Sequence, residues 1–132
     1  MKTIIISILI IGIFAVKGKC QVANFQGNWK DQIPARAFSL KLNQASGNLK
    51  GNHCAITPDG NRIDCALDDT DVSITGTISN ADSVIVTVKS FYSNTTGTAV
   101  IKKIDDNTIS WRILTAPLGV FYIFNSAILI RQ

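Results

Sequence analysis

The stretch FSLKLNQASGNLKGNH, residues 38 to 53, combines an alternating apolar and polar segment with a turn. Phe38, Leu40 and Leu42 alternate with Ser39 and Lys41, which is the period of two expected for a strand with one buried face. The small and polar residues ASGN, 45 to 48, have the composition of a tight turn. Because short connections favour neighbouring antiparallel strands, the stretch predicts two such strands.

The same alternation recurs along the chain, separated by turn clusters at 57–61, 79–82, 93–97 and 105–107. Turns that follow one another roughly every 8–12 residues are typical of sandwiches and barrels. The sequence therefore predicts an all-β domain, an antiparallel up-and-down meander of eight or nine strands that closes into a small barrel. Its other predicted buried faces carry Val72, Ile74 and Ile78, and Ile109, Trp111 and Ile113.

Residues 1–20 have the pattern of a secretory signal peptide, with Lys2 ahead of an apolar run over residues 4–16. Cleavage after Cys20 is the first choice and cleavage after Gly18 the second. Lys19 stands where a lipidation signal usually carries a small residue, so a lipid anchor on Cys20 is not expected. Residues 21–132 are then a single exported domain, secreted or periplasmic, without a transmembrane segment.

Loss of the leader removes three lysines and leaves ten basic side chains against nine aspartates, a net charge of +1. Phosphate-binding proteins need clustered lysine and arginine, and no basic run remains in the sequence. Nucleic acid and anionic membrane surfaces are therefore not expected partners.

HCAITPDGNRIDC, residues 53 to 65, predicts a hairpin with a cysteine on each strand. If Ile56 lies opposite Ile63, Cys54 lies opposite Cys65, within the distance that a disulfide accepts. A four-residue loop, 58–61, preserves this pairing, whereas a type I turn with a glycine bulge would shift it by one residue. In an exported chain the disulfide is the leading interpretation.

The cysteines are predicted to share an apolar face with Ile56, Ile63 and Leu67. The alternation then places His53 on the opposite, outward face, where it cannot join both sulfur atoms in a metal site. His53 and Asp64 are expected to form a hydrogen bond at the surface, diagonally across the two strands.

Other chemistry is sparse in this sequence, which has one histidine and no glutamate. Asp64, Asp68, Asp69 and Asp71 could offer oxygen ligands to calcium, but the run lacks the glycine and terminal glutamate of an EF-hand, and a solvated loop is favoured. Hydrolysis through a pair of aspartates is the weakest of the functional hypotheses. We expect a protein that is not an enzyme and holds no metal or cofactor.

PLGVFYIF, residues 117 to 124, is apolar at consecutive positions, unlike a strand with one wet face. An outward stripe of Tyr122 and Phe124, or of Phe121 and Ile123, predicts a homodimer through this region. The alternative is a bulge near residues 125–126 that turns the successive aromatic side chains inward.

FQGNWK, residues 25 to 30, contains a G-x-W motif that resembles the calycin barrels, which include lipocalins, fatty-acid-binding proteins and avidins. In these families the tryptophan closes one end of an eight-strand barrel, and an arginine near the chain end packs over its ring. The resemblance therefore implies barrel closure by Trp29 and Arg131. A guanidinium over an indole face is favourable in itself.

The avidins are the nearest of these families in length, but the sequence departs from them where biotin binds. Asp31, Ala35, His53 and Ser90 stand at positions where avidins carry other residues. Biotin is therefore not an expected ligand.

The resemblance implies a secreted or periplasmic protein that holds a small apolar or amphipathic ligand inside the barrel. The candidate ligand-binding residues are Phe38, Leu40, Trp111 and Tyr122. The alternative is a module that binds a protein through its loop tips, for example a periplasmic inhibitor of a lysozyme-type hydrolase. A barrel interior filled by side chains would favour the alternative.

Overall fold

The structure, a computed structural model, describes residues 22–132. This part of the chain forms nine strands and, within those residues, no helix. The predicted signal peptide and Cys20 lie outside the described residues. The strands are β1 Gly27–Asp31, β2 Ala37–Ala45, β3 Asn48–Ile56, β4 Ile63–Cys65, β5 Ile74–Thr77, β6 Ser83–Lys89, β7 Thr96–Asp105, β8 Thr108–Thr115 and β9 Ser126–Arg131.

Eight of the strands form a closed antiparallel barrel. Each pairs with the next along the chain, with β3 followed directly by β5, and β9 returns to pair with β1. β4 is the extra strand and pairs with the last three residues of β3, beyond the part of β3 that pairs with β5. The prediction of an all-β meander that closes into a small barrel is confirmed.

The barrel interior is filled by side chains that alternate along the strands. Phe38, Leu40 and Leu42 of β2 point inward as predicted, and so do Ile109 and Trp111 of β8. An eight-strand barrel is just wide enough for its interior side chains to fill it. The largest fully buried side chains are Trp29, Trp111, Phe25, Phe38, Leu40, Leu42, Leu49, Ile74, Ile101, Ile109, Leu129 and His53.

The two ends of the barrel are named here by their central residues. At the Trp29 end lie residues 22–26 and the turns 46–47, 78–82 and 106–107. At the Asp64 end lie β4 and the longer connections 32–36, 57–62, 66–73, 90–95 and 116–125. The connections at the Asp64 end are therefore longer than those at the Trp29 end.

Two details of the predicted strands are corrected. Val72 is exposed and Ser73 is buried, because residues 66–73 form an irregular connection that enters β5 only at Ile74. Residues 117–124, expected to belong to the C-terminal strand region, are also irregular. Among residues 22–132 the structure contains no helix long and apolar enough to cross a membrane.

Candidate functional site

A disulfide joins β3 to β4, as the sequence predicted. The Cys54 and Cys65 sulfur atoms are bonded at 2.01 Å, and the strands pair Cys54 with Cys65 and Ile56 with Ile63. The N–H of Thr57 donates to the carbonyl of Arg62, so the connecting loop is 58–61. This is the four-residue loop that keeps the register.

The faces of this hairpin are opposite to the prediction. His53, Ala55 and Asp64 point inward and are fully buried, whereas Ile63 is 56% exposed and Leu67 94% exposed. The reason is the long pairing of β3 with β2, in which His53 lies opposite the inward-facing Leu40. Nine pairs with β2 fix the facing of β3, and the short hairpin with β4 has to follow it.

His53 forms the centre of a buried polar chain at the Asp64 end. Its Nε2 lies 2.9 Å from Asp64 Oδ1, and its Nδ1 lies 2.7 Å from Ser73 Oγ. With Asp64 ionised, Nε2 carries the hydrogen and donates to the carboxylate, and the Ser73 hydroxyl donates to Nδ1. Ser73 Oγ also accepts the N–H of His53, and each buried side-chain nitrogen and oxygen of this polar network has a hydrogen-bond partner.

Asp64 accepts hydrogen bonds from three different segments of the chain. Oδ1 accepts from His53 Nε2 and from the N–H of Phe91, and Oδ2 accepts from the Ser90 hydroxyl and the N–H of Tyr122. Burial by itself raises the pKa of Asp64, but the hydrogen bonds from His53, Ser90 and Tyr122 outweigh it and hold the pKa below its usual value. The carboxylate therefore stays charged, and it fixes the loops 90–95 and 116–125 over the Asp64 end.

Ser73, His53 and Asp64 superficially resemble a Ser-His-Asp catalytic triad. In that triad the serine contacts Nε2 and the aspartate Nδ1, whereas here the two nitrogens are exchanged. The three side chains are also buried, with at most 4% of any of the residues exposed. A substrate has no access to Ser73 Oγ in this arrangement, which supports a role in holding the end of the barrel together.

Above this network the loops carry two tyrosines, two aliphatic residues and one arginine at the surface. These five residues are called the loop surface: Arg62, Tyr92, Leu118, Val120 and Tyr122. The rings of Tyr92 and Tyr122 meet edge to face at 4.7 Å, and the Arg62 guanidinium lies 5.9 Å from the Tyr122 ring. Leu118 is 77% exposed, Val120 58% and Tyr92 54%. The Thr95 hydroxyl donates to the Leu118 carbonyl, which joins the two loops directly.

At the opposite end of the barrel the structure brings Trp29 and Arg131 together. The Arg131 guanidinium lies 4.2 Å from the Trp29 ring centroid, and Trp29 Nε1 donates to the Phe25 carbonyl. Gly27 has φ of +136°, and a Cβ there would lie 2.8 Å from Arg131 Nη1. The glycine of the G-x-W motif therefore allows the arginine to lie across the tryptophan.

The four candidate ligand-binding residues do not form one site. Phe38, Leu40 and Trp111 are core residues, each 1% exposed, and the rings of Phe38 and Trp111 meet at 5.6 Å. Tyr122 lies apart from them, half-buried in the loop surface.

The four aspartates between residues 64 and 71 have different contacts. Asp64 is buried, Asp69 pairs with Lys41 at 3.3 Å, and Asp68 and Asp71 accept N–H groups of their own loop. In the part of the chain that the structure describes, no group of three or more His, Cys or Asp side chains is placed to hold a metal ion.

Comparison with protein-family models, with curated proteins and with solved structures found no match to this chain. The site is therefore interpreted from its own geometry.

The alternation within single strands indicates neither Ser73 as a partner of His53 nor the loop surface. One signal was available in the sequence. Pairing β3 with β2 across the turn at 46–47 places His53 opposite Leu40 and therefore on the inward face. No local pattern in the sequence indicates that residues 64, 90 and 122 meet.

Proposed function

We propose that this protein is an exported binding module that contacts a partner protein through the loop surface. The observation that carries the proposal is the Asp64 network, which fixes two loops so that tyrosine, arginine and aliphatic side chains face solvent together. Tyrosine and arginine are enriched among the residues that dominate binding energy at protein interfaces. Exposed aromatic and aliphatic side chains that are grouped on neighbouring loops are typical of an interaction site.

The packing of the barrel interior supports this proposal over a small ligand held inside. A ligand in contact with Phe38, Leu40 and Trp111 would have to displace side chains that are already close-packed against their neighbours. The buried network at the Asp64 end also lies across the route into the barrel from that side.

Fixed loops reduce the entropic cost of association. A side chain that is ordered only on binding costs about 0.5–1.5 kcal/mol, whereas here both loops are already held by Asp64. A buried charge at this end of the barrel is then explained by the two loops that it holds.

The disulfide and the leader-like residues 1–20 support export of the protein, secreted or periplasmic. The eight-strand closure and the contact of Arg131 with Trp29 support distant kinship with the calycin barrels. Within this proposal, a lysozyme-type hydrolase is the partner class to test first.

The test is an inhibition assay of lysozyme-type hydrolases on a suspension of bacterial cell walls, with purified disulfide-bonded protein. We expect inhibition that the Tyr92→Ala, Tyr122→Ala double variant loses, while Thr75→Ala at an exposed position of β5 keeps it. A photo-crosslinking residue at position 118, compared with one at position 75, identifies a different partner if no hydrolase is inhibited.

The proposal fails if position 118 crosslinks to nothing beyond the level at position 75. It also fails if native mass spectrometry finds a small apolar molecule retained by the exported protein, with NMR shifts at Phe38 and Trp111. That result would establish the interior site instead.

A further inference from the structure

The outer wall of the barrel carries a second surface, independent of the loop surface. Outward side chains of β6, β7, β8 and β9 align in two adjacent rows across the four strands. The first row is Ile85, Val100, Arg112 and Ser126, and the second is Ser83, Lys102, Ser110 and Ile128.

The three serines in these rows make a depression in the wall. Because a serine side chain is short, the longer side chains of Lys102, Arg112 and Ile128 stand above it on either side. The resulting groove has a volume of about 560 Å³ and reaches Ile33 and Arg36 in the connection after β1. It will be called the serine groove. Grooves of this volume are within the range that binds ligands in proteins.

The charge in the serine groove is of one sign. Lys102, Arg112 and Arg36 line it, and no carboxylate does. Asp31 pairs with Arg36 at 2.6 Å, but among residues 22–132 neither Lys102 nor Arg112 has a salt-bridge partner. The net charge of the chain does not reveal this surface, because six of the nine aspartates precede β6 to β9 and the turn that enters β6: 31, 59, 64, 68, 69 and 71.

We propose that the serine groove binds an acidic, extended segment of a partner protein. Carboxylates of the segment would pair with Lys102 and Arg112, and apolar side chains between them would contact Ile33, Val100 and Ile128. A two-fold contact between copies of this chain would place the cationic side chains near one another, which disfavours a second copy.

The experiment is an NMR titration of the purified, disulfide-bonded protein with a ten-residue synthetic peptide of alternating aspartate and valine. We expect amide shifts that cluster at Ser110, Arg112 and Ile128, and an affinity that falls as salt rises from about 0.05 M to about 0.3 M. The Lys102→Ala, Arg112→Ala variant should bind about tenfold more weakly. A lysine and valine peptide should not bind.

The matched control removes the same charge elsewhere, through Lys30→Ala on β1 and Lys50→Ala on β3. Its affinity for the acidic peptide should equal that of the parent protein, and thermal unfolding should show that both double variants remain folded. Equal weakening in the control would mean nonspecific attraction and would overturn the proposal. So would the absence of peptide binding, or binding of anionic phosphatidylglycerol vesicles without peptide binding. None of these outcomes depends on the loop surface.

Discussion

At the residue scale, the Asp64 side chain holds together the segments that form one end of the barrel. Its two carboxylate oxygens accept four hydrogen bonds from β3 and from two loops. A buried charge is tolerated when its hydrogen bonds are complete, and it becomes costly when a partner is removed. Substitution of this residue should therefore affect segments far from it in the sequence.

Replacement Asp64→Asn should destabilise the protein by about 2–4 kcal/mol at neutral pH. The amide has one acceptor oxygen, and its NH₂ group would face donors that now point at a carboxylate oxygen. Urea unfolding of the two proteins measures the difference. Asp69→Asn is the control, because Asp69 pairs with Lys41 at an exposed position, and it should change stability by less than about 1 kcal/mol.

The pKa shift of Asp64 also predicts how this difference depends on pH. Because the folded-state pKa is lowered, the stabilisation is fully present above the unfolded value near 4 and is lost as the pH falls through the folded value. Urea unfolding from pH 7 to pH 2 should therefore show the advantage of the parent protein over Asp64→Asn decreasing below about pH 4. An advantage that stays constant to pH 2 would contradict the assigned charge.

Trp29 should stabilise its end of the barrel, as Asp64 stabilises the opposite end. Trp29→Ala should cost about 3–5 kcal/mol, because the cavity left under Arg131 is lined by buried side chains. Thermal unfolding measures this, with exposed Ile85→Ala as the control. An unchanged melting temperature would show that Trp29 does not close the barrel.

At the element scale, β4 is too short to hold itself in place. It has three residues, pairs with one strand, and is not part of the closed barrel. A disulfide that closes a loop of about a dozen residues contributes roughly 2–4 kcal/mol. The Cys54–Cys65 bond therefore keeps Asp64 in position, and through Asp64 it keeps the loop surface ordered.

The double variant Cys54→Ser, Cys65→Ser should lose roughly 2–4 kcal/mol of stability. It should also lose hydrogen-exchange protection at the amides of Phe91 and Tyr122, which donate to Asp64. Amides of Ile101 and Ile109 in the barrel wall serve as the internal reference. Uniform loss of protection across all four amides would mean that the disulfide stabilises the whole fold instead of this end.

At the scale of the whole molecule, residues 117–124 pack within one chain. Ile123 is buried, Phe121 and Phe124 pack against the core, and Trp111 Nε1 donates to the Phe124 carbonyl. The irregular backbone here lets Phe121, Ile123 and Phe124 all turn toward the core, which a regular strand would not do. The apolar stripe on which the predicted homodimer rests is therefore largely covered.

Homodimerisation stays a prediction, and the packing of this segment favours a monomer. Light scattering at high protein concentration should give the mass of one chain, with the loop surface and the serine groove both accessible to labelling. A dimer whose interface protects Tyr122 would show instead that the loop surface is a self-association site.

The sequence by itself determined the local features of this protein. Alternation over residues 38–42 and 109–111, with turns between, specified strands and a barrel, because period two and turn chemistry are local properties. The sequence also favoured one register of the cysteine hairpin over the glycine-bulge alternative, and the four-residue loop 58–61 confirms that register. The tertiary structure decided which face of β3 points inward, because nine pairs with β2 outweigh the apolar side chains of a three-residue partner. It also decided that Asp64, Ser90 and Tyr122 meet and that Lys102 and Arg112 share a groove, since closure of the barrel brings together residues that no local pattern connects.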